Sequence, residues 1–227
     1  MDQAPCISQI ATLLADPKRT ALLWALMDGA AKPVDELATC TGVSSASAKA
    51  HLHRLAASGL LRMEARDNQR FFQMVAPDVR AVVDALAMTT MASVARSGAV
   101  ASLPLAAPAA LRGARVCRGH LGGVLAADLY PRLLAAGWLE RHEYRVQVTP
   151  KGVRKLAGFG IFTQALAQPV ACECFDWSEQ KPHLGGALGA ALLQLFIQAG
   201  WVNATNASPV LQVSALGREE ITRLACD

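Results

Sequence analysis

The sequence predicts a mostly α, α+β chain in two parts, and three observations carry that prediction. Apolar residues make up 52% of the chain and charged ones 18%, with alanine and leucine abundant, so a helix-rich globular core is expected and a disordered chain is excluded. Between residues 7 and 76, helix caps, turns and two strand-like runs follow one another in a set order. Beyond residue 114 the chain repeats itself: HLGGVLAADLYPRLLAAGWLE, starting at His120, returns as HLGGALGAALLQLFIQAGWVN, starting at His183.

Ile7 to Leu14 is a short apolar run with helical spacing. Asp16-Pro17 then supplies an N-cap with proline in the first turn, opening a second helix through Leu22, Leu23, Ala25 and Leu26 that Asp28-Gly29 ends. A further helix, Val34 to Cys40, leads into Thr41-Gly42-Val43, and Ser44-Ser45 caps the next, expected to run to about Ser58. Two helices joined by so short a turn form a helix-turn-helix. After Gly59, LLRMEA and RFFQMV read as strands separated by the polar ARDNQ, a hairpin carrying Arg62, Arg66 and Arg70. This order of elements makes a winged helix the simplest assembly.

In the second helix of the pair, Ser45, Ser47, Ala48, Lys49, His51 and Arg54 present small, polar and basic groups while Leu52 and Leu55 face inward. Small residues permit close approach to a major groove, and Lys49, Arg54 and the hairpin arginines suit phosphates, which position a protein without choosing a sequence. Pro77 to Ser97 carries Val79, Val82, Val83, Leu86, Met88, Met91 and Val94 at helical spacing, so a further helix is expected there.

These stretches resemble the ArsR/SmtB bacterial repressors over roughly residues 7 to 97. The resemblance is carried by IATLLADPKRTALLWAL, by ELATCTGVSSASAKAHLHRLAASGLL and by the basic wing between Arg62 and Gln73. Within it, His51-Leu52 with Leu55, Gly59, Leu60 and Leu61 is the most telling part. It implies a homodimer, held largely through the helix at about 77–97, that binds double-stranded operator DNA and releases it on sensing a signal. In one branch of the family the dimer helix holds zinc with Asp and His, but here no histidine occurs between His53 and His120. Another branch uses paired cysteines near the helix-turn-helix, where only Cys40 stands, so Cys40 is expected to be a small core residue.

Gly98 to Pro108, GAVASLPLAAP, is small-residue rich and broken by proline. A connector is therefore placed at 98–113, between a winged-helix DNA-binding and dimerisation domain at 1–97 and a duplicated sensor domain at 114–227, with winged-helix-like repeats at about 117–160 and 174–227. Each copy reads as a long helix, a Gly-Trp turn, a strand and a short final helix capped by Thr149 or Ser214. Neither copy buries its apolar helix alone, whereas two copies around a pseudo-twofold axis share one core.

The HLGG stretches lack the spacing of a nucleotide loop, and no nucleophile, base and orienting acid group together, so no enzyme is expected. Cys117 precedes His120 closely, while Cys172 and Cys174 stand further ahead of His183. If the copies converge, Cys117, His120, Cys174 and His183 offer zinc two thiolates and two imidazoles. Cys117, Cys172 and Cys174 alternatively offer three thiolates to a soft metal or metalloid ion, or a thiol pair to redox chemistry. The remaining alternative is no cofactor at all, with buried cysteines and histidines bonded to backbone near their own helix starts. Phe175, Trp177, Trp138 and Trp201 keep an apolar small-molecule pocket open.

A net charge of +4 tolerates a polyanion without proving one. No basic lead followed by an apolar core opens the chain, and a cytoplasmic protein with reduced thiols is expected. The uncharged run from Leu184 to Val202 is about long enough to cross a bilayer, but Gln194 and Gln198 interrupt it and its earlier copy carries Asp128 and Arg132, so a buried helix is expected and no membrane partner. The competing functional reading is a protein-interaction or small-molecule-binding module that does not regulate DNA.

Overall fold

The computed structural model describes residues 7–97, 107–143, 145–205 and 208–225, without the side chains of 91, 92 and 94–97. Residues 98–106 of the expected connector, and the side chains of Met91 and Val94, lie outside that description. The chain divides into two compact units, Met1–Pro108 and Ala109–Asp227.

In the first unit, α1 (Ile7–Leu14), α2 (Pro17–Ala25), β1 (Lys32–Pro33), α3 (Val34–Thr41), α4 (Ser45–Ala57), β2 (Leu61–Arg66), β3 (Gln69–Met74) and α5 (Pro77–Ser97) follow in order. Local chemistry sets the boundaries. The Asp16 carboxylate accepts from the Lys18 and Arg19 amides, satisfying two donors that the first turn of α2 leaves open. Gly42 takes the left-handed conformation that closes α3, at φ 66°, and the Ser44 hydroxyl caps α4. Leu22, Leu23, Leu26, Leu37, Leu52, Leu55 and Phe72 are completely buried. Each stabilises the unit by about 1.5–3 kcal/mol in transfer terms.

The wing is tighter than its sequence suggested. Asp67 and Asn68 alone form the turn, both at positive φ, the geometry of a two-residue hairpin loop. Strands β2 and β3 pair from Leu61↔Met74 to Arg66↔Gln69, and β1 joins the far side of β3 at Lys32↔Phe72. Cys40 corrects an expectation: it is exposed, because α3 turns Leu37 and Ala38 inward and Cys40 away.

The second unit contains α6 (Ala109–Gly113), β4 (Arg115–Cys117), β5 (His120–Gly122), α7 (Val124–Ala135), β6 (Leu139–His142), β7 (Arg145–Val148), α8 (Pro150–Gly158), β8 (Cys172–Asp176), β9 (Lys181–Gly185), α9 (Gly186–Gln198), β10 (Val202–Thr205), β11 (Ser208–Val213) and α10 (Ala215–Arg223). Part of the expected connector is thus a helix, α6, of this unit. Each repeat runs hairpin, helix, hairpin, helix, which corrects both the single strand and the purely helical opening expected of it. HLGG is not itself a helix start. Its first residues form the second strand of a hairpin, and Gly123 or Gly186, at φ 89° and 77°, turns the chain into the helix.

The two copies are interleaved. Helix α7 packs on β9 of the other repeat and α9 packs on β5, so each helix covers its partner's hairpin. Strands run in the order β10-β11-β4-β5, placing the second copy's late hairpin beside the first copy's early one. Gly189 permits the close approach on one side: a Cβ there would stand 2.6 Å from the Leu184 oxygen and 3.1 Å from the His120 Cβ. Tyr130, Leu133, Trp138, Leu188, Leu192, Phe196 and Ile221 form the shared core. The expected caps are present, Thr149 bonding the Gly152 amide and Ser214 the Gly217 amide. At 13 residues α9 rises about 20 Å, short of the roughly 30 Å of a hydrocarbon layer. No described helix is long and apolar enough to cross a membrane.

Candidate functional site

Two sites emerge, one in each unit. In the first, α4 turns Leu52 and Leu55 into the core as expected, and with them Ala48, which was expected on the groove face but stands one turn before Leu52 on the same side. Helical periodicity then carries Ala46, Lys49, Ala50, His53 and Ala57 round its outer side, a face of small side chains with one lysine. Ser45 is exposed beside them, its hydroxyl donating to Asp35 at 3.0 Å. Ser47, His51 and Arg54 lie on the other flank. His51 is half-buried and close enough to act on the Asp16 carboxyl, and Arg54 borders a groove with Ser8, Thr12 and Arg19.

The wing is joined to this face. Arg70 Nη1 donates to His53 Nε2 at 2.8 Å, which assigns the Nδ1–H tautomer to that histidine. Arg62 and Arg66 are exposed but share one carboxylate, Glu64, at 3.2 and 2.6 Å. The hydrogen bond from Arg66 acts most strongly on Glu64, and together the two arginines hold its carboxyl below the usual range. Sequence reasoning missed Ala46, Ala50, His53 and Glu64. Helical spacing from Lys49 contained the first three, while the role of Glu64 required the strand register. On α5, Val83 and Ala87 are buried at 3% and 5%, but Val82 and Leu86 are 46% and 45% exposed, leaving an apolar stripe on the outside.

In the second unit, cross-strand pairing builds the site. Cys117 stands opposite His120 in the β4–β5 hairpin, and Cys174 stands opposite His183 in β8–β9. The unequal spacings in sequence reflect only the loops: Arg118 and Gly119 close the first hairpin, and 177–180 close the second. The interleaved repeats bring the two pairs face to face. Cys117 Sγ lies 3.9 Å from Cys174 Sγ, and His120 Nε2 lies 3.1 Å from His183 Nε2. One ligand atom from each of the four residues lies within 4.8 Å of every other, and all four residues are buried.

Cys172 is not part of that set among the described residues, although its sulfur lies beside Gly185. Burial, reinforced by Cys174, pushes the Cys172 thiol up, so it is the less ready thiolate. At Cys174, hydrogen bonding from Cys117, with His120 and His183, overcomes burial and holds the thiol well below its ordinary range. None of the described cysteines forms a disulfide.

Asp176 supports the centre from behind. Its Oδ1 accepts from Arg115 Nη2 at 2.9 Å and its Oδ2 from the Gly123 amide at 2.7 Å, with no exposure of its side chain. Burial works to raise this carboxyl, yet Arg115, Gly123 and Ser178 hold it down at about 2. Arg115 also lies over the Trp177 ring, 4.3 Å from its centroid. The expected aromatic pocket therefore loses Trp177 to the core. Trp138 and Trp201 border a separate groove of about 350 Å³ with Arg154, Lys155 and Arg223.

A helix-turn-helix domain model matches residues 14–64. The uncharacterized HTH-type transcriptional regulator YdfF of Bacillus subtilis (strain 168) is 28% identical over 218 residues, covering 94% of each chain. Among solved structures, the homodimeric winged helix-turn-helix domain of Mb0332 from Mycobacterium bovis, described as a possible ArsR-family regulator, is 20% identical, with 43% of this chain and 87% of that one covered at a TM-score of 0.36. The AntR antimony-specific transcriptional repressor is 24% identical, with coverages of 43% and 91% and a TM-score of 0.35. The chain therefore carries a helix-turn-helix domain with the Leu61–Met74 hairpin as its wing, and along 94% of its length it is similar to an HTH-type transcriptional regulator.

Proposed function

We propose that the protein is a dimeric repressor that binds operator DNA through α4 and its wing and releases it when the duplicated domain receives a signal. The observation that carries this reading is the outer face of α4, where Ala46 and Ala50 flank Lys49 and Arg70 of the wing is tied to His53. Such a face admits a major groove closely while the basic groups meet phosphates. Dimerisation is supported by the exposed Val82 and Leu86 on α5. The sensing role is supported by the buried cysteine–histidine centre between two repeats, an arrangement suited to thiol or metal chemistry.

Fluorescence anisotropy with promoter fragments tests the first part. Binding should favour a duplex with two half-sites over random DNA and weaken steeply with salt, and Arg70→Ala should reduce the salt slope by about 1. Equal binding to random and promoter DNA refutes the operator reading. A second reading, an organic effector, is favoured by the groove at Trp138 and Trp201, where Arg154 and Lys155 stand beside the Arg223–Glu220 ion pair and suit an aromatic anion. It requires quenching of tryptophan emission by the effector, abolished by Arg154→Ala.

A further inference from the structure

We propose that Cys117, His120, Cys174 and His183 form a four-coordinate site for one zinc-class d¹⁰ ion, each repeat supplying one thiolate and one imidazole. This deepens the sensor reading and rests on it only for the idea that the centre carries the signal.

The distances fit. With metal–sulfur bonds of about 2.3 Å and metal–nitrogen bonds of about 2.0–2.1 Å, a tetrahedron separates its two sulfurs by about 3.8 Å and its two nitrogens by about 3.3 Å. The two sulfurs here are 3.9 Å apart and the two Nε2 atoms 3.1 Å apart, so both agree within a few tenths of an ångström. The donor set is also selective. Two sulfurs and two imidazole nitrogens, with no carboxylate among them, suit a borderline-soft ion and repel magnesium or calcium, which need oxygen.

Charge balance suits a dry site. The ion enters with two positive charges and binds two thiolates, any proton still held by the Cys117–Cys174 pair leaving to bulk water, and the neutral imidazoles each donate an Nε2 lone pair. The resulting centre has no net charge, which a buried site accepts far more readily than a lone thiolate. His183 is arranged for this. It is completely buried, its Nδ1 has no hydrogen-bond partner, and Asp176 Oδ2 stands 3.9 Å from that nitrogen. A carboxylate on that side favours the Nδ1–H tautomer and so leaves the Nε2 lone pair facing the other three residues.

The surroundings keep the space open. A Cβ on Gly122 would stand 2.9 Å from the Cys117 Cβ, and one on Gly185 would stand 3.3 Å from His120 Cε1. The same cross-strand cysteine–histidine pair recurs in both hairpins despite their different loops. A core role for any one of these residues does not require that all four polar atoms converge. Bound there, the ion ties the two repeats together at their shared axis, coupling the fold of the unit to metal.

The test uses the full chain, purified under reducing conditions, stripped with a chelator and titrated with cobalt(II) and then zinc(II). One cobalt per chain should bind with thiolate-to-cobalt charge-transfer absorption and the intense visible bands of a tetrahedral site, and one equivalent of zinc should bleach both. Cys117→Ser and Cys174→Ser should each lose about half of the charge-transfer intensity, one sulfur of two. Cys172→Ser should leave it unchanged, so a loss of signal in that variant overturns the ligand set. Failure of the unmodified chain to take up cobalt also overturns it, whatever the variants do to folding. Operator binding followed in the same samples separates the two readings. Zinc uptake without change in operator affinity supports the site and removes the ion as the signal. Release of DNA by a thiol oxidant without any metal uptake overturns the site and leaves the sensor reading intact.

Discussion

Replacing Arg115 by alanine should destabilise the second unit by about 3 kcal/mol, near the lower end of the roughly 3–5 kcal/mol found on breaking a buried ion pair. The magnitude follows from what each partner keeps. Arg115 is 2% exposed and donates to the Leu111 carbonyl, the Ser178 hydroxyl and Asp176, with Trp177 against its guanidinium. Without it, Asp176 remains fully buried but retains donors from Gly123, the Ser178 amide and hydroxyl, and the Glu179 amide. The anion therefore loses its counter-charge and not its hydrogen bonds, which places the cost low in the range. Urea denaturation at neutral pH, followed by tryptophan emission, measures Arg115→Ala, and then the single variants Arg115→Met and Asp176→Asn with their double variant. The double variant should be more stable than the sum of the singles implies, by about 1–3 kcal/mol. Additive effects, or a loss below about 1 kcal/mol for Arg115→Ala, refute the view that this pair joins the two hairpins as a unit.

Glu64→Gln should release Arg62 and Arg66 toward phosphate and steepen the logarithmic salt dependence of DNA binding by up to about 1.8, the slope of two added contacts. An unchanged slope removes this strand of the wing from the interface. Gly217→Ala should cost about 1–3 kcal/mol by chemical denaturation, because the new Cβ runs into the Trp201 carbonyl, a backbone atom that has little room to yield. An unaltered midpoint refutes that packing. Asp16→Ala should lose about 1 kcal/mol at neutral pH through the cap of α2. Backbone hydrogen bonding from Arg19 depresses the Asp16 carboxyl, so its contribution is present above the unfolded pKa and fades as pH falls through the lowered one. The difference between variant and parent should therefore close in acid, and a constant difference from neutral to strongly acidic pH contradicts it.

The first unit was legible because its signals are local. Asp16, Ser44 and Gly42 each act on backbone groups within four residues of themselves, and the wing's turn is two adjacent residues. Cys40 was misjudged because one thiol on a short amphipathic helix has no periodicity of its own. The early hairpins of the repeats were hidden for a related reason. Strands β4 and β5 have three residues each, too few for alternation to register, and the adjacent helix signal absorbed them.

Sequence alone established the helix-turn-helix, the basic hairpin and the duplication, and it named all four residues of the buried centre. Their convergence was a tertiary matter. Pairing between strands made the unequal cysteine–histidine spacings equivalent, and the exchange of α7 and α9 across the repeats set the two pairs face to face. The same exchange buried Arg115 against Asp176, a contact between distant residues with no local signature. Caps and turns are chosen by interactions within a few residues, whereas a site assembled across two strands and two repeats depends on register and packing, which a linear pattern does not contain.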